Sequence, residues 1–255
     1  MYRYGILYSS HNRLFNGASY LPLTQALVDN GIESNTTYLD AINTLEDKWT
    51  TSGMLSNFLS MQLFLGSDST KCAYDFINGT YGTFAGTWTF DAKGVKGNGT
   101  NTDFEDGITA NQLGLNKGFF VLTNNFDSTT KAFDLSSSDN KIMTAFGYNG
   151  AYTAYSRVAS NTYITKTPQG TSLGTHLGYR NSSANHKLID VNEVVTTGAH
   201  TYSATDTSLL VLGTGAGGYS DRQFGILAKG DASLSDIDAL ELWNDINDLN
   251  AIIHP

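Results

Sequence analysis

The chain has 255 residues, 40% hydrophobic and 12% aromatic but only 15% charged, with a net charge of −9 and a single cysteine. That apolar content excludes disorder as the main state, and one cysteine, Cys72, excludes a disulfide framework or a multi-cysteine metal site. No apolar run approaches the ~18 residues of a membrane span, no basic-then-apolar secretory start is visible, and an acid excess without any Lys/Arg cluster argues against a nucleic acid partner.

Few Lys and Glu beside many Thr, Gly and aromatic residues favour strands and turns over helices. The first segment, Met1 to Ser10, is an aromatic, alternating stretch. Tyr2, Tyr4, Ile6 and Tyr8 fall on one face of an extended chain that is suited to strand addition on another subunit. Pro22 opens a short helix ending near Gly31. Thr37 and Asp40 have capping-box spacing ahead of Leu39, Ile42, Leu45 and Trp49, which predicts a helix over 37–52 closed by Gly53.

Phe58–Leu65 reads as a buried strand. From there to about residue 230, short apolar or alternating runs recur between Gly, Asn and Asp clusters. Examples are 118–123, 141–146, 152–158, 162–165, 186–191, 208–212 and 222–227. Short strands this close together leave no room for crossover helices. The fold class is therefore mainly β, an antiparallel sandwich or barrel, with an N-terminal helical segment and a C-terminal helix. That last helix starts at Ser235 with Asp238 three residues on. Its apolar stripe is Ile237, Leu240, Trp243, Ile246 and Leu249.

Candidate chemistry is sparse. Gly213, Gly215 and Gly218 have dinucleotide-motif spacing, but a strand-like run follows them where the motif needs a helix, so they read as a turn. Asp236, Asp238 and Glu241 have the spacing of paired glycosidase acids, yet they sit on a helix and suit its dipole. Asp103 and Glu105, with Asp106 beside them, would share a strand face. The five histidines show no metal-ligand spacing, and Cys72 reads as a small buried hydrophobe. Loops around Asp68, 124–127 and 138–140 leave calcium open as a cofactor, although turn chemistry explains them equally well. Tyr148, Asn149, Tyr152 and Tyr155 gather aromatic faces and an amide around a hairpin, a set of groups that could hold a glycan. The alternative there is cross-strand packing in an exposed hairpin.

Two segments carry a resemblance. Gly94-Val95-Lys96-Gly97-Asn98-Gly99-Thr100-Asn101, followed by Thr102-Asp103-Phe104, resembles a glycine-rich stretch of concanavalin-like (laminin-G-like) sandwich domains in bacteriophage structural proteins. Tyr219–Leu227 with Leu234-Ser235-Asp236 resembles their closing strand and helix. The likeness spans roughly residues 37–250. It implies the two-sheet antiparallel jelly-roll form of the sandwich, displayed on a virion in a tail appendage, spike or capsid-attached fibre. Other virion proteins and host-surface polysaccharide would then be partners, and homo-oligomers are expected. No catalytic set accompanies these motifs, so the expected function is that of a non-enzymatic virion structural protein. Residues 1–35 would dock it and 36–255 would form the sandwich. Two other functions stay open: an adhesin devoted to glycan recognition, and an enzyme cleaving surface polysaccharide, which requires two convergent carboxylates.

Overall fold

The computed structural model describes residues 19–113, 117–126, 134–137, 142–148, 153–158, 163–166, 171–181, 184–199, 209–215 and 218–255. Among them, helices α1 (Pro22–Asp29) and α2 (Thr36–Ser52) precede strand β1 (Phe58–Gln62) and a one-turn helix α3 (Ser69–Cys72). Strands β2 (Thr83–Asp91), β3 (Gly94–Thr109), β4 (Phe119–Asn124), β5 (Leu135–Ser137), β6 (Ile142–Tyr148), β7 (Thr153–Val158) and β8 (Ile164–Lys166) follow. Next come β9 (Gly174–Tyr179), β10 (Asn185–Ile189), β11 (Val195–Ala199), β12 (Leu209–Leu212), β13 (Thr214–Gly215), β14 (Gly218–Tyr219) and β15 (Gln223–Gly230), and α4 (Asp236–Ile253) closes the chain.

The strands run in the order β11-β10-β9-β4-β15-β3-β12-β5-β6-β7-β8, with β1 added on β15 and β2 on β3. Every pairing is antiparallel among the described residues. The ribbon folds over so that β7 and β8 lie against β9, β10 and β11, which makes it a sandwich. The two layers are in close contact. A Cβ on Gly178 would sit 2.8 Å from the Ser156 hydroxyl, and one on Gly198 2.7 Å from the Ile164 side chain.

Alternation along β4 and β9 divides the molecule into two cores. Phe119, Val121, Leu177 and Tyr179 face the helices and pack with Leu39, Trp49, Leu242 and Ile246. Phe120 and Leu122 face the sandwich interior with Val95, Phe104, Leu210, Leu212 and Leu227. The result is three layers, helices over one sheet and that sheet over the other. Helix α4 is anchored at both ends. Asp236 accepts the Tyr179 hydroxyl at 2.9 Å and Lys187 Nζ at 2.6 Å, and His254 Nε2 lies 2.8 Å from the Leu63 carbonyl oxygen.

The helix starts show how local chemistry sets boundaries. At α2 the N-cap is Asn35, whose side chain accepts from Thr37 and Tyr38, so the Thr37/Asp40 box is not used. Gly53 ends α2 with φ 80°, and the Ser235/Asp238 capping box of α4 forms as its spacing predicts. Leu21 gives α1 no side-chain cap. The buried Glu46 of α2 takes that role, accepting Leu23 N at 2.9 Å, Thr24 N at 2.8 Å and the Thr24 hydroxyl at 2.7 Å. Helix α1, inside the segment assigned to docking, is thereby fixed to the body.

The stripe predicted on α4 is partly wrong. Ile237 is 78% exposed, and the buried face is Ala239, Leu242, Trp243, Ile246, Leu249 and Ile253. At 3.6 residues per turn, Ile237 stands about half a turn away from Ile246.

The two segments that carried the resemblance lie against each other. Val95 pairs with Phe224 and Lys96 with Gln223. Gly97 N donates to the Arg222 carbonyl at 3.2 Å, and a Cβ on Gly97 would sit 2.1 Å from the Ser220 carbonyl oxygen. Gly94 and Gly97 are there for close backbone approach, which makes this stretch a structural motif.

Candidate functional site

The Tyr-rich hairpin singled out from the sequence is only partly within the described residues. Tyr148 lies on β6, paired in register with Thr153, and Tyr155 lies on β7, opposite Ala145. Asn149 and Tyr152 lie outside the described residues, as do Tyr2, Tyr4, Ile6 and Tyr8. Gly215 and Gly218 pair with each other between β13 and β14, and Gly213 immediately precedes β13. In the Asp68 loop proposed for calcium, the Asp68 side chain caps α3 by accepting Lys71 N at 2.9 Å. Among the described residues no group of three or more His, Cys, Asp or Glu is placed to hold a metal. Cys72 is fully buried on α3, and burial pushes its thiol up to about 12, which leaves it unreactive near neutral pH.

A surface that the sequence reading passed over lies along β2. This strand pairs only with β3 among the described residues, so it forms an edge. Its Phe84, Trp88 and Phe90 are half-buried at the rim of the sandwich core. Phe84 is the hub, with ring centroids 4.4 Å from Phe104, 5.0 Å from Phe90, 5.3 Å from Trp88 and 6.3 Å from Phe64. Phe64 reaches this cluster with φ 44°, a left-handed backbone that disfavours a bulky residue and costs about 1–3 kcal/mol. The Trp88 indole N–H donates to the Ala85 carbonyl at 2.9 Å, which fixes that ring.

The turn leading into β2 is equally rigid. Asp75 is buried, and its Oδ1 accepts Met61 N at 3.0 Å and Ile77 N at 2.9 Å. Burial pushes the Asp75 carboxyl up, against the opposing pull of these hydrogen bonds and of Asn78. The loop it organises returns at an isolated bridge between Tyr74 and Tyr81, whose rings meet edge to face at 5.4 Å. Tyr81 is left 50% exposed. Gly82 lets the chain lie flat here, because a Cβ would be 2.5 Å from the Phe104 ring.

Between this turn and α3 lies a cleft of about 290 Å³, lined by Ser69, Thr70, Ala73, Tyr81, Gly82, Thr83 and Phe84. It is lined by the half-exposed Tyr81, the half-buried Phe84 and three aliphatic hydroxyl side chains, and none of its lining residues is charged. Such a wall stacks on an apolar ring face and hydrogen-bonds to hydroxyls at its rim.

Of the acids considered from the sequence, Asp106 turns inward, 2.6 Å from Lys229 Nζ, and accepts the Ser60 hydroxyl at 2.7 Å. Burial pushes its carboxyl up, but Lys229, Ser60 and the Ile108 N–H outweigh that and hold it below its ordinary value. Asp103 and Glu105 stand opposite Ala85 and Thr83 in the β2–β3 register, on one face of β3 as alternation requires. Burial raises the Asp103 carboxyl, partly offset by a hydrogen bond from Thr214.

No protein-family model matches the chain, and no curated protein does. Solved structures do match. One is a Trypanosoma rangeli sialidase in complex with sialic acid, with a TM-score of 0.57 at 12% identity, covering 76% of this chain and 34% of the sialidase. Another is a botulinum neurotoxin type C structure, from work on a cell entry that depends on two ganglioside molecules. Its TM-score is 0.54 at 9% identity, covering 77% of this chain and 53% of the toxin chain. The chain thus spans about a third of the first and about half of the second.

At these identities the likeness is one of fold, and it bears out the antiparallel sandwich. It also corrects one expectation. The sequence reading assigned no enzymatic activity, whereas this fold recurs in chains of a sialidase, solved also with a covalent intermediate at TM-score 0.55. The absence of a recognised catalytic motif therefore does not separate binding from catalysis here.

Proposed function

We propose that this sandwich recognises glycans, and that the cleft at the β2 edge is its sugar-contact surface. The observation that carries the reading is a cleft without charged lining side chains in which the half-exposed Tyr81 stands together with Ser69, Thr70 and Thr83. Pyranoses present an apolar face and a rim of hydroxyls, and this wall complements both. The fold likeness to a toxin chain studied for its ganglioside-dependent entry supports the same reading.

The test is a glycan array probed with the full chain and with Tyr81→Ala. Tyr81 is half exposed, so its loss leaves the core intact. The reading expects glycan binding in the parent chain and a drop of at least about tenfold in the variant, the scale of one lost aromatic contact. A parent chain that binds no glycan refutes it.

The position of such a module on a virion is supported by the sequence resemblance at 94–104 and 219–236. Its test is deletion of residues 1–20: assembly into particles unaffected by the deletion removes the docking role.

A further inference from the structure

We infer that the β2-edge cleft takes an uncharged hexopyranose and discriminates against sialylated or otherwise anionic sugars. This deepens the glycan reading and rests on it. Charge separates the two classes of sugar. A sugar carboxylate or sulfate taken into a partly desolvated cleft needs a cation or a set of converging N–H donors. None of the residues lining this cleft has a charged side chain, and its side-chain polar groups are hydroxyls, which serve neutral sugar hydroxyls as donor and acceptor alike.

The nearest surroundings favour the same ligand. Lys71, the only base on α3, runs its stem along Gly66, where a Cβ would sit 2.9 Å from its Cδ. Thr83, on the cleft wall, stands in register with an acid, Glu105, across the strand pair. The chain as a whole carries −9, so its field repels an anion approaching from solvent. Binding here is therefore stacking and neutral hydrogen bonding, with little dependence on salt.

The experiment uses the full chain against matched oligosaccharide pairs, each a neutral galactose-terminated chain and the same chain capped with sialic acid, with Tyr81→Ala as the siting control. Calorimetry at low and high sodium chloride follows for the tightest binder. The inference expects the neutral member to bind at least about tenfold more tightly, affinity to change less than about twofold between about 50 and 500 mM salt, and binding to disappear in Tyr81→Ala. Preference for the sialylated member with loss in Tyr81→Ala overturns the inference and leaves glycan recognition at the cleft standing. Binding that survives Tyr81→Ala overturns the assignment to this cleft. No binding of any glycan removes the underlying reading and the inference together.

Discussion

His176 makes the stability of the sandwich depend on pH in a calculable way. It lies on β9, fully buried on the face that turns away from the helices, within the field of Arg222. Burial, and then the Arg222 charge, lower its imidazole to about 3, so it is neutral in the folded chain at any ordinary pH. In the unfolded chain it titrates near ~6.5. Below that value unfolding takes up a proton that the folded state refuses, so stability is fully present above about pH 6.5 and falls as pH drops toward about 3. Integrating between the two values gives a loss of about 2 kcal/mol from pH 8 to pH 5 and about 4 kcal/mol by pH 3. The assay is urea unfolding, followed by tryptophan fluorescence, of the parent chain and His176→Gln at pH 8, 6.5 and 5. Glutamine removes the titration, so the variant is expected to lose about 2 kcal/mol less than the parent over that range, whatever its stability at pH 8. Parallel losses in the two chains refute the reasoning.

Two further predictions concern the internal charges. Lys229→Met strands the Asp106 carboxylate in a site where both partners are about 1% exposed, and a cost of about 3–5 kcal/mol is expected. Combining it with Asp106→Leu should recover much of that cost in the same urea assay, and a single variant costing under about 1 kcal/mol would show that the pair is solvated. Glu46→Ala uncovers the first turn of α1 and should cost about 1–3 kcal/mol. It should also raise hydrogen exchange at the Leu23 and Thr24 amides, whereas unchanged exchange there would mean that α1 is capped by something else.

What the sequence made legible follows from where physics is local. Gly53 and the Ser235/Asp238 box depend on a few consecutive residues, and both ends are where spacing puts them. Runs such as Phe119–Asn124 announce burial on both faces, and that strand has every residue buried. By contrast β3, sixteen residues in the middle of the sheet, is Gly, Asn, Thr and Asp for much of its length and escapes a reading based on apolar alternation. Its place comes from partners far away in sequence, β2 on one side and β12 and β15 on the other. The cleft was hidden for a related reason. Phe84, Trp88 and Phe90 alternate, but a register shift between Gly86 and Trp88 blurs the period, and Gly86 itself has φ 80°. Tyr81 gains its exposure from a loop organised by Asp75, a long-range arrangement no local pattern encodes. The clue that was available is the concentration of Tyr81, Phe84, Trp88 and Phe90 among small and hydroxylated residues.

The acidity of the chain takes on a different meaning once its acids are located. The stretch 231–250 holds six acidic residues and no basic one. Four of the six meet lysines from other elements: Asp231 with Lys117, Asp236 with Lys187, and Glu241 and Asp245 together with Lys48. Most of these pairs are well exposed, and each contributes at most about 1 kcal/mol. Together they still occupy three of the 15 basic residues, two on acids of α4 and one on Asp231 ahead of it. The pairing thus draws scarce cations to α4, and the wall of the β2-edge cleft is built from hydroxyls and rings. A sheet edge made this way offers an anion no cationic side chain, whereas its exposed ring and hydroxyls suit a neutral sugar. The low charge of the chain therefore acquires a location, and the net charge adds selectivity by repelling the anionic alternatives.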